Sequence, residues 1–179
     1  MKIIYRKAAL ILALTLLFSC FSSCTYTEEG GAQKLSAGLD MQLSADGGSY
    51  SVCGIGECAD LEILIGGIYE GKPVKSIGGY AFWGCGEIRE AFIFESIEHI
   101  GNDAFSYCVS LKQITLPATL KSIGDYAFYG CSSLFDIYFS GTAEEWRAIE
   151  KGEEWRAAAA LFVIHCSDYS LTWDENIME

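Results

Sequence analysis

The sequence predicts an α/β solenoid, in which short structural units stack along one axis and contribute their strands to a parallel sheet. The first observation behind this prediction is a gapless repeat, since three copies of a 23-residue unit begin at Ile77, Ile100 and Ile123. The second is that Ile, Gly, Ala, Phe and Cys recur at the same positions of each copy. A fixed period of this length indicates units that bury their apolar face against their neighbours. Such an array offers an extended surface, which favours binding over catalysis.

Each copy divides into two predicted halves. The first half reads Ile-Gly-x-x-Ala-Phe-x-x-Cys in all three copies, which predicts a compact helical or 3₁₀ turn. The second half alternates in polarity and predicts a strand, because successive side chains of a strand point to opposite faces. Stacking the copies brings these strands into one parallel sheet. It also places Phe82, Phe105 and Phe128 in a buried column, which we expect to be the main stabilising element.

The cysteine that ends each first half is predicted to be a buried thiol. Cys85, Cys108 and Cys131 occupy one repeat position, so stacking should align them as a column of small apolar side chains. Export would permit disulfides, and a bridge between Cys53 and Cys58 stays open because no spacing rule decides it.

The N-terminus has the pattern of a secretion signal. A short basic stretch over residues 1–7 is followed by an apolar run over residues 8–18, which is too short to span a bilayer comfortably. Small residues and cysteines come next, as in a bacterial lipobox, where a cysteine receives lipid. Cleavage before Cys20 would have the favoured leucine at −3 but a bulky residue at −2, whereas cleavage before Cys24 would have phenylalanine at −3. We expect lipidation of Cys20 or Cys24, with plain secretion and an uncleaved anchor as the alternatives.

The segments that flank the repeats are predicted to cap them, because an exposed apolar end of a solenoid would aggregate. Alternation from Met41, interrupted by Asp46-Gly47-Gly48, predicts an N-terminal hairpin cap. A degenerate repeat with a strand at residues 62–65 follows. After the third copy, Thr142 with Glu145 forms a capping-box pattern and predicts a helix. Residues 153–160 predict a second helical piece of the C-terminal helical cap, before a last strand at residues 162–166.

These signals divide the chain into five segments. They are a signal peptide over residues 1–19, a flexible tether over 20–40, the N-terminal cap and degenerate repeat over 41–76, the three repeats over 77–145, and the C-terminal cap and tail over 146–179.

Charge and length limit the classes of partner. The chain has 179 residues and a formal net charge of −12, so it would repel nucleic-acid phosphates and anionic lipid headgroups. We therefore expect a protein or glycan ligand and no nucleic acid. Contact with a membrane is expected only through an N-terminal lipid anchor, and the protein is expected to be a monomer.

Further motifs flank the three Ala-Phe…Cys units. They are Tyr50-Ser51-Val52-Cys53-Gly54-Ile55-Gly56-Glu57-Cys58, Tyr69-Glu70-Gly71-Lys72-Pro73-Val74-Lys75-Ser76-Ile77, and Ser140-Gly141-Thr142 with Trp146 and His165-Cys166. Together these motifs resemble the BspA-like leucine-rich-repeat family of bacterial cell-surface proteins over residues 50–168. The resemblance implies a short leucine-rich-repeat horseshoe and display on the cell surface. In some members it also implies adhesion, through binding to host matrix proteins or to other cells.

The outward residues of the predicted strands are the candidate ligand-binding site. Alternation places one row of side chains on the exposed face of the sheet, which Val163 and His165 extend. The row consists of Leu64, Phe92, Thr115 and Tyr138. A neighbouring polar row consists of Glu62, Glu90, Gln113 and Asp136. Apolar groups beside acidic ones would suit a protein or sugar ligand, with Glu90 and Asp136 as polar anchors. The alternative is that these residues only pair across strands and stabilise the sheet.

A second aromatic set is predicted on the turns. Covering of a small core is the simpler interpretation of these residues, and a glycan-binding platform is the alternative. Its members are Tyr80, Trp83, Tyr107, Tyr126 and Tyr129. The two histidines, His99 and His165, lack metal-ligand spacing, and Cys166 cannot pair with its strand neighbour His165 as a nucleophile. We therefore expect no catalytic residue, no metal site and no cofactor.

The sequence thus favours an exported, surface-displayed leucine-rich-repeat protein that binds a protein or glycan, and not an enzyme. One alternative is a structural or assembly module of the cell envelope without a ligand of its own. A hydrolase is the remote alternative.

Overall fold

Two sheets of mostly parallel strands, joined by recurring turns, make up the architecture of this computed structural model, which describes residues 35–172. In chain order the strands are β1 (Asp40–Leu43), β2 (Tyr50–Gly54), β3 (Glu62–Ile65), β4 (Ile68–Tyr69), β5 (Lys72–Ile77), β6 (Glu90–Ile93), β7 (His99–Ile100), β8 (Gln113–Leu116), β9 (Ser122–Ile123), β10 (Asp136–Phe139), β11 (Glu150–Lys151), β12 (Val163–His165) and β13 (Ser170–Leu171). One helix, α1 (Ala143–Ala148), lies between β10 and β11.

The two sheets take alternate strands of the repeats. Sheet 1 has the order β1-β2-β5-β7-β9-β11, with β4 paired to β5. Sheet 2 has the order β13-β12-β10-β8-β6-β3. The pairs β1–β2, β4–β5 and β12–β13 are antiparallel, and the other pairs are parallel. The predicted stack of parallel strands is therefore present, and sheet 1 is an addition that the sequence analysis did not predict.

Alternation of side chains fixes which face of sheet 2 is buried. In β6, β8 and β10 the second and fourth residues are buried, whereas the first and third are only partly buried. The buried set includes Ile114 and Ile137, which are fully inaccessible. They share one core cluster with Ile77, Ile100 and Ile123 of sheet 1. Both sheets thus contribute to the same core, as a solenoid requires.

The turns that lead from sheet 1 to sheet 2 occupy residues 78–85, 101–108 and 124–131, and we call this set the turn edge. They are neither α-helical nor 3₁₀, contrary to prediction. Alternate amides bond within a turn and to the next one: Trp83 N–H donates to the Tyr80 carbonyl, whereas Phe82 N–H donates to the Ala104 carbonyl. Because half of these amides donate to carbonyls of the neighbouring copy, the hydrogen-bonding groups of the backbone are paired without a helix.

Glycine at the second position of the repeat lets consecutive turns approach closely. A Cβ at Gly101 would lie 2.5 Å from the backbone nitrogen of Gly79, and a Cβ at Gly124 would lie 2.6 Å from that of Asn102. Real Cβ atoms do not come this near to a backbone, so the recurrent Ile-Gly pair is explained by stacking.

The predicted phenylalanine column is present. Phe82 and Phe105 stack with ring centroids 5.1 Å apart, and Phe105 and Phe128 with centroids 5.5 Å apart. All three rings are fully buried. The column ends on Trp155, which meets Phe128 edge to face at 6.2 Å.

The cysteine column is only partly as predicted. Cys108 and Cys131 are buried, and their thiols donate to the carbonyls of Phe82 and Phe105, respectively, each at 3.1 Å. Cys85 is only half buried, because the degenerate repeat before it covers it less completely than a full copy would. Burial raises the pKa of Cys131 to about 12, and it also raises the pKa of Cys108 and of Cys85.

The helical part of the prediction is largely wrong. Helix α1 does begin at the predicted capping box, where the Glu145 N–H donates to the Thr142 hydroxyl and the Thr142 N–H donates to the Glu145 carboxylate. It is, however, only six residues long, and it is the sole α-helix among residues 35–172. The predicted second helix at 153–160 is a turn. Its alanine-rich sequence suits a helix, but its amides and carbonyls bond to the preceding copy, as between Phe128 N–H and the Trp155 carbonyl.

The predicted tether also ends earlier than expected. Ser36 is buried and exchanges two hydrogen bonds with the backbone of Leu64, and Leu39 packs in the core. Residues 35–40 therefore belong to the folded structure, held by the Ser36–Leu64 hydrogen bonds, by the burial of Leu39 and by the pairing of Asp40 with Gly54. The predicted signal peptide, the rest of the predicted tether and residues 173–179 lie outside the described residues. Within the described part, no helix is both long and apolar enough to cross a membrane.

Candidate functional site

The exposed face of sheet 2 carries a continuous row of side chains, which we call the outward row. Strand register aligns Leu64 with Phe92, Phe92 with Thr115, Thr115 with Tyr138, and Tyr138 with His165. All five side chains are partly buried. Because neighbouring strands lie about 4.8 Å apart, the row crosses the sheet as a line of closely spaced side chains. The predicted geometry is present, and ligand binding there stays a prediction.

A polar row runs beside it, and we call this set the acidic row. Register aligns Glu62, Glu90, Gln113 and Asp136, and then continues to Val163. Val163 therefore extends the acidic row and not the outward row, which corrects the prediction for that residue. The error arose from treating both ends of a three-residue strand as one row, although they lie two positions apart.

The two predicted anchors of the acidic row already have partners within the sheet. The Gln113 side-chain amide donates to Glu90 at 2.6 Å, and His165 Nε2 lies 2.8 Å from the Asp136 carboxylate. A carboxylate has about four lone-pair sites. Glu90 and Asp136 are thus oriented by these contacts and still have acceptor capacity for a ligand.

Tyr138 and His165 form an aromatic pair at one end of the outward row. Their ring centroids are 4.8 Å apart and the ring planes are tilted by only 17°. Burial raises the pKa of Tyr138, and the charges of Asp136 and Glu90 raise it further. The phenol therefore stays protonated at neutral pH and can donate a hydrogen bond. A flat ring pair with adjacent donors and acceptors is suited to recognising a polar group through stacking and hydrogen bonding.

The same histidine joins a chain of three polar side chains. His165 Nδ1 lies 3.1 Å from the Ser170 hydroxyl, and Nε2 faces Asp136. In Ser-His-Asp triads the nucleophile bonds Nε2 and the carboxylate bonds Nδ1. Here the two nitrogens have exchanged partners, and Ser170 is exposed on the edge strand β13. The chain fixes the orientation of His165 on the outward row and does not reproduce the triad arrangement.

Aromatic side chains on the turn edge form a second continuous feature, the aromatic ladder, which comprises Trp83, Tyr107, Tyr129 and Tyr126. Consecutive rings meet edge to face, with centroid distances of 6.3 Å, 5.3 Å and 5.8 Å. Tyr80, the fifth aromatic residue predicted there, is exposed on the first turn. The sequence predicted their location on the turns but not the unbroken contact between copies, because Trp83 and Tyr107 occupy different repeat positions.

The remaining histidines and cysteines do not come together as a site. His99 bonds the Ser122 hydroxyl on sheet 1, far in sequence from His165. Cys53, Cys58 and Cys166 are free thiols, so the open possibility of a Cys53–Cys58 bridge is not realised. Within residues 35–172 no group of His, Cys, Asp or Glu is arranged to hold a metal ion. Cys20 and Cys24 lie outside the described residues.

Two features of the surface had no reliable sequence signal. Ser170 was assigned to the tail, and only the hydrogen bonds of the two-residue strand β13 bring it to His165. Phe135 is 55% exposed just before β10, at a position that alternation assigned to neither row. Both features depend on tertiary contacts of residues that lie in a very short strand or outside the strands, so periodicity could not identify them.

A family comparison matches the repeat region. Residues 68–149 match the family described as BspA type Leucine rich repeat region (6 copies). No curated protein is significantly similar to this chain in sequence.

Several solved structures share the fold. A leucine-rich-repeat protein from T. pallidum aligns with a TM-score of 0.58 at 19% identity, over 76% of this chain and 71% of that one. One from Bacteroides capillosus ATCC 29799 aligns with a TM-score of 0.60 at 23% identity, over 77% and 99%. One from Bacteroides ovatus ATCC 8483 aligns with a TM-score of 0.56 at 24% identity, over 78% of this chain but only 34% of that one. At such identities the likeness concerns the fold. Together with the repeat match, it shows that residues 68–149 of this chain consist of leucine-rich repeats of the BspA type.

Proposed function

We propose that this protein is exported to the bacterial cell surface and binds a protein or glycan through the outward row of sheet 2. The observation that carries the proposal is the unbroken register from Leu64 to His165, with Phe92 and Tyr138 as its large aromatic members. Interfaces concentrate their binding energy in a few central aromatic residues. The oriented carboxylates of Glu90 and Asp136 would supply the polar contacts that such a site needs for specificity.

A purely structural role explains the row less well. Aromatic and β-branched residues both serve cross-strand pairing, so the observation that favours a ligand site is the fixed orientation of the His165 ring, which stacks on Tyr138 at the surface. In addition, Asp136 and Ser170 bond the two ring nitrogens of His165 and thereby orient this ring at the surface. Orientation of this kind favours a ligand site over simple sheet stabilisation.

The proposed route to the surface is a lipid anchor at Cys20 or Cys24. The support is the apolar run over residues 8–18 and the small residues before each cysteine. Intact mass and incorporation of labelled palmitate into Cys20→Ser and Cys24→Ser variants test this step. Loss of label in one variant identifies the acceptor, and an unlabelled wild-type protein rejects the anchor.

We further propose that the two ends of the solenoid are capped. The antiparallel pair β1–β2 borders sheet 1 at its N-terminal end. At the other end Trp146 and Trp155 are buried, with Trp146 against Phe139 at 5.4 Å and Trp155 against Phe128. Covering the last apolar layer should prevent end-to-end association. Trp155→Ser would therefore be expected to aggregate, as measured by light scattering, and a monomeric Trp155→Ser protein would reject the C-terminal cap.

The binding proposal is tested by probing arrays of matrix proteins and glycans with the intact protein and with a Phe92→Ser/Tyr138→Ser variant. We expect a ligand that the wild type binds and the variant does not. Ile68→Ser is the matched control, because Ile68 is a comparable apolar side chain that is 52% exposed away from the row. This control should bind like the wild type.

Two results would contradict the proposal. Binding that survives the Phe92→Ser/Tyr138→Ser change would show that the outward row is not the site. Absence of any ligand on the arrays and in surface extracts would favour the alternative, a structural or assembly module of the envelope.

A further inference from the structure

A second surface lies on the turn edge, and one of its residues has an unfavourable backbone conformation. Tyr107 has a φ of +59°, and the residues at the same repeat position of the flanking copies are Gly84 and Gly130, with φ of +70° and +68°. Glycine adopts this left-handed conformation without the clash that a Cβ brings. A Cβ at Gly84 would meet open space, so the turn itself does not demand a side chain. The central copy nevertheless places a large aromatic residue there.

Tyr107 links the aromatic ladder. Its ring meets Trp83 edge to face on one side and Tyr129 on the other. Trp83 is 56% exposed and Tyr107 47% exposed, and Tyr126 extends the ladder. Replacing Tyr107 by the glycine of its neighbours would divide the ladder in two. A positive φ recurs at Tyr80, Asp103 and Tyr126, the fourth residue of each copy, as part of the turn itself. Tyr107 differs from these because its neighbours in register are glycines, so the strain there comes from the choice of residue, and strain of this kind clusters at functional sites.

Carboxylates border the ladder. The charge of Glu154 raises the pKa of Tyr126, and burial and the charges of Glu153, Asp125 and Asp103 raise it further. The pKa of Tyr107 is raised mainly by Tyr129 and by burial, and the charge of Asp103 raises it further. Asp125 already accepts the Glu153 N–H, whereas Glu153 and Glu154 expose their side chains. The ladder thus lies in negative surroundings on a chain of net charge −12.

The ring geometry favours a cation over a sugar. Planes of successive rings are inclined by 74° to 82°, so they do not form the flat platform on which sugar rings stack. A ring face surrounded by carboxylates is suited to a positive group, and the planar guanidinium of arginine combines stacking with bonds to carboxylates. We propose that the aromatic ladder is a docking surface for an arginine-rich basic segment of a partner protein.

The proposal is tested with a fluorescein-labelled peptide of alternating arginine and glycine, titrated with the intact protein and followed by anisotropy. Saturable binding that weakens with added salt is expected. A lysine–glycine peptide should bind more weakly, and a glutamate–glycine peptide should not bind. Equal binding of the glutamate peptide, or no binding of the arginine peptide at low salt, would overturn the proposal.

The repeats supply matched variants. Tyr107→Gly takes the residue of the neighbouring copies, and Trp83→Ser takes that of Ser106 at the same position of the central copy. The double variant should keep the wild-type circular dichroism spectrum and bind the arginine peptide about tenfold more weakly. Asp103→Asn with Glu154→Gln should weaken binding several-fold and flatten its salt dependence.

The Phe92→Ser/Tyr138→Ser variant of the outward row should bind the arginine peptide like the wild type, which separates this surface from the proposed function. Unchanged affinity in the folded ladder variants would overturn the assignment. So would a glycan that binds the ladder and displaces the peptide, because the geometry would then serve a sugar.

Discussion

The ring of Phe105 lies nearly parallel to that of Phe128, with an angle of 5° between their planes and 5.5 Å between their centroids. The distance is close to the spacing of neighbouring strands. One aromatic residue per copy can therefore stack without bending the backbone. Phe82 continues the column on the other side of Phe105. Each 23-residue copy thus adds one ring to the core at about the spacing at which it adds one strand to the sheet.

Phe105→Ala should lower the free energy of unfolding by about 3–5 kcal/mol, the usual loss for a buried aromatic residue. The reason is that Phe105 is fully buried between two rings, and neither neighbouring ring can move to fill the cavity that its removal would leave. Denaturant titration measures the change. Phe135→Ala is the control, since Phe135 is exposed and should change stability by about 0.5 kcal/mol or less. Equal effects of the two changes would mean that the column is not the core.

Ser106→Ala should leave the protein as stable as the wild type or more stable. The Ser106 hydroxyl is buried and has no hydrogen-bond partner among the described residues, so removing it relieves a desolvation cost of about 1–3 kcal/mol. Thermal unfolding monitors the change.

The contrasting variant is Ser96→Ala, because the Ser96 hydroxyl accepts the Gly67 N–H at 2.6 Å. Its removal leaves that amide without its acceptor and should cost about 1 kcal/mol. A lower melting temperature for Ser106→Ala than for Ser96→Ala would show that the Ser106 hydroxyl is satisfied.

Thiol reactivity should follow position in the column. Cys108 and Cys131 should resist alkylation of the native protein, because they are buried and burial raises the pKa of both thiols. Cys85 should react at an intermediate rate and the exposed Cys53 fastest. Mass spectrometry of timed samples gives the order. Alkylation of Cys108 as fast as Cys53, or a disulfide between two column cysteines, would contradict this packing.

Stability should depend on pH through the two ion pairs of Glu98, which lies just before strand β7 of sheet 1. Glu98 contacts Lys121 and Lys75, the latter at 2.9 Å, and these ammonium groups lower the pKa of Glu98 from 4.5 to about 2. A carboxyl group whose pKa is lower in the folded state stabilises it above pH 4.5. This contribution is lost as the pH falls towards 2.

Glu98→Gln should therefore cost about 1 kcal/mol or less at pH 7, because both lysines are about half exposed or more and water screens the pair. The difference from wild type should vanish near pH 2 and in high salt. Glu95→Gln is the control, because Glu95 is an exposed glutamate in the same loop and its replacement at pH 7 should change stability by about 0.5 kcal/mol or less. A Glu98→Gln difference that persists at pH 2 would indicate a cause other than charge.

The sheet-2 strands and the outward row were predictable because alternation and the 23-residue period act on the same residues. Phe92 and Tyr138 could be placed side by side once the copies were aligned. Sheet 1 was not predictable, since β7 and β9 have two residues each and show no periodicity. The buried Ile100 and Ile123 appeared only as the start of a turn motif.

The predicted second helix failed for a related reason. Local propensity favours a helix over the alanines of residues 153–160. The preceding copy offers backbone partners at fixed spacing, and Glu154 and Ala158 take left-handed conformations to meet it. Tertiary hydrogen bonding thus outweighed local propensity. The aromatic ladder was hidden in the same way, because Trp83 and Tyr107 meet only across copies.

The most direct test of the account measures affinity and folding in one sample of the Phe92→Ser/Tyr138→Ser variant, with a ligand selected on the wild-type protein. Both side chains lie on the partly exposed face of sheet 2, so we predict an unchanged melting temperature to within a few degrees. We also predict a loss of binding of at least about 2 kcal/mol, the level of an interface hot spot. Wild-type affinity in the folded variant would contradict the account.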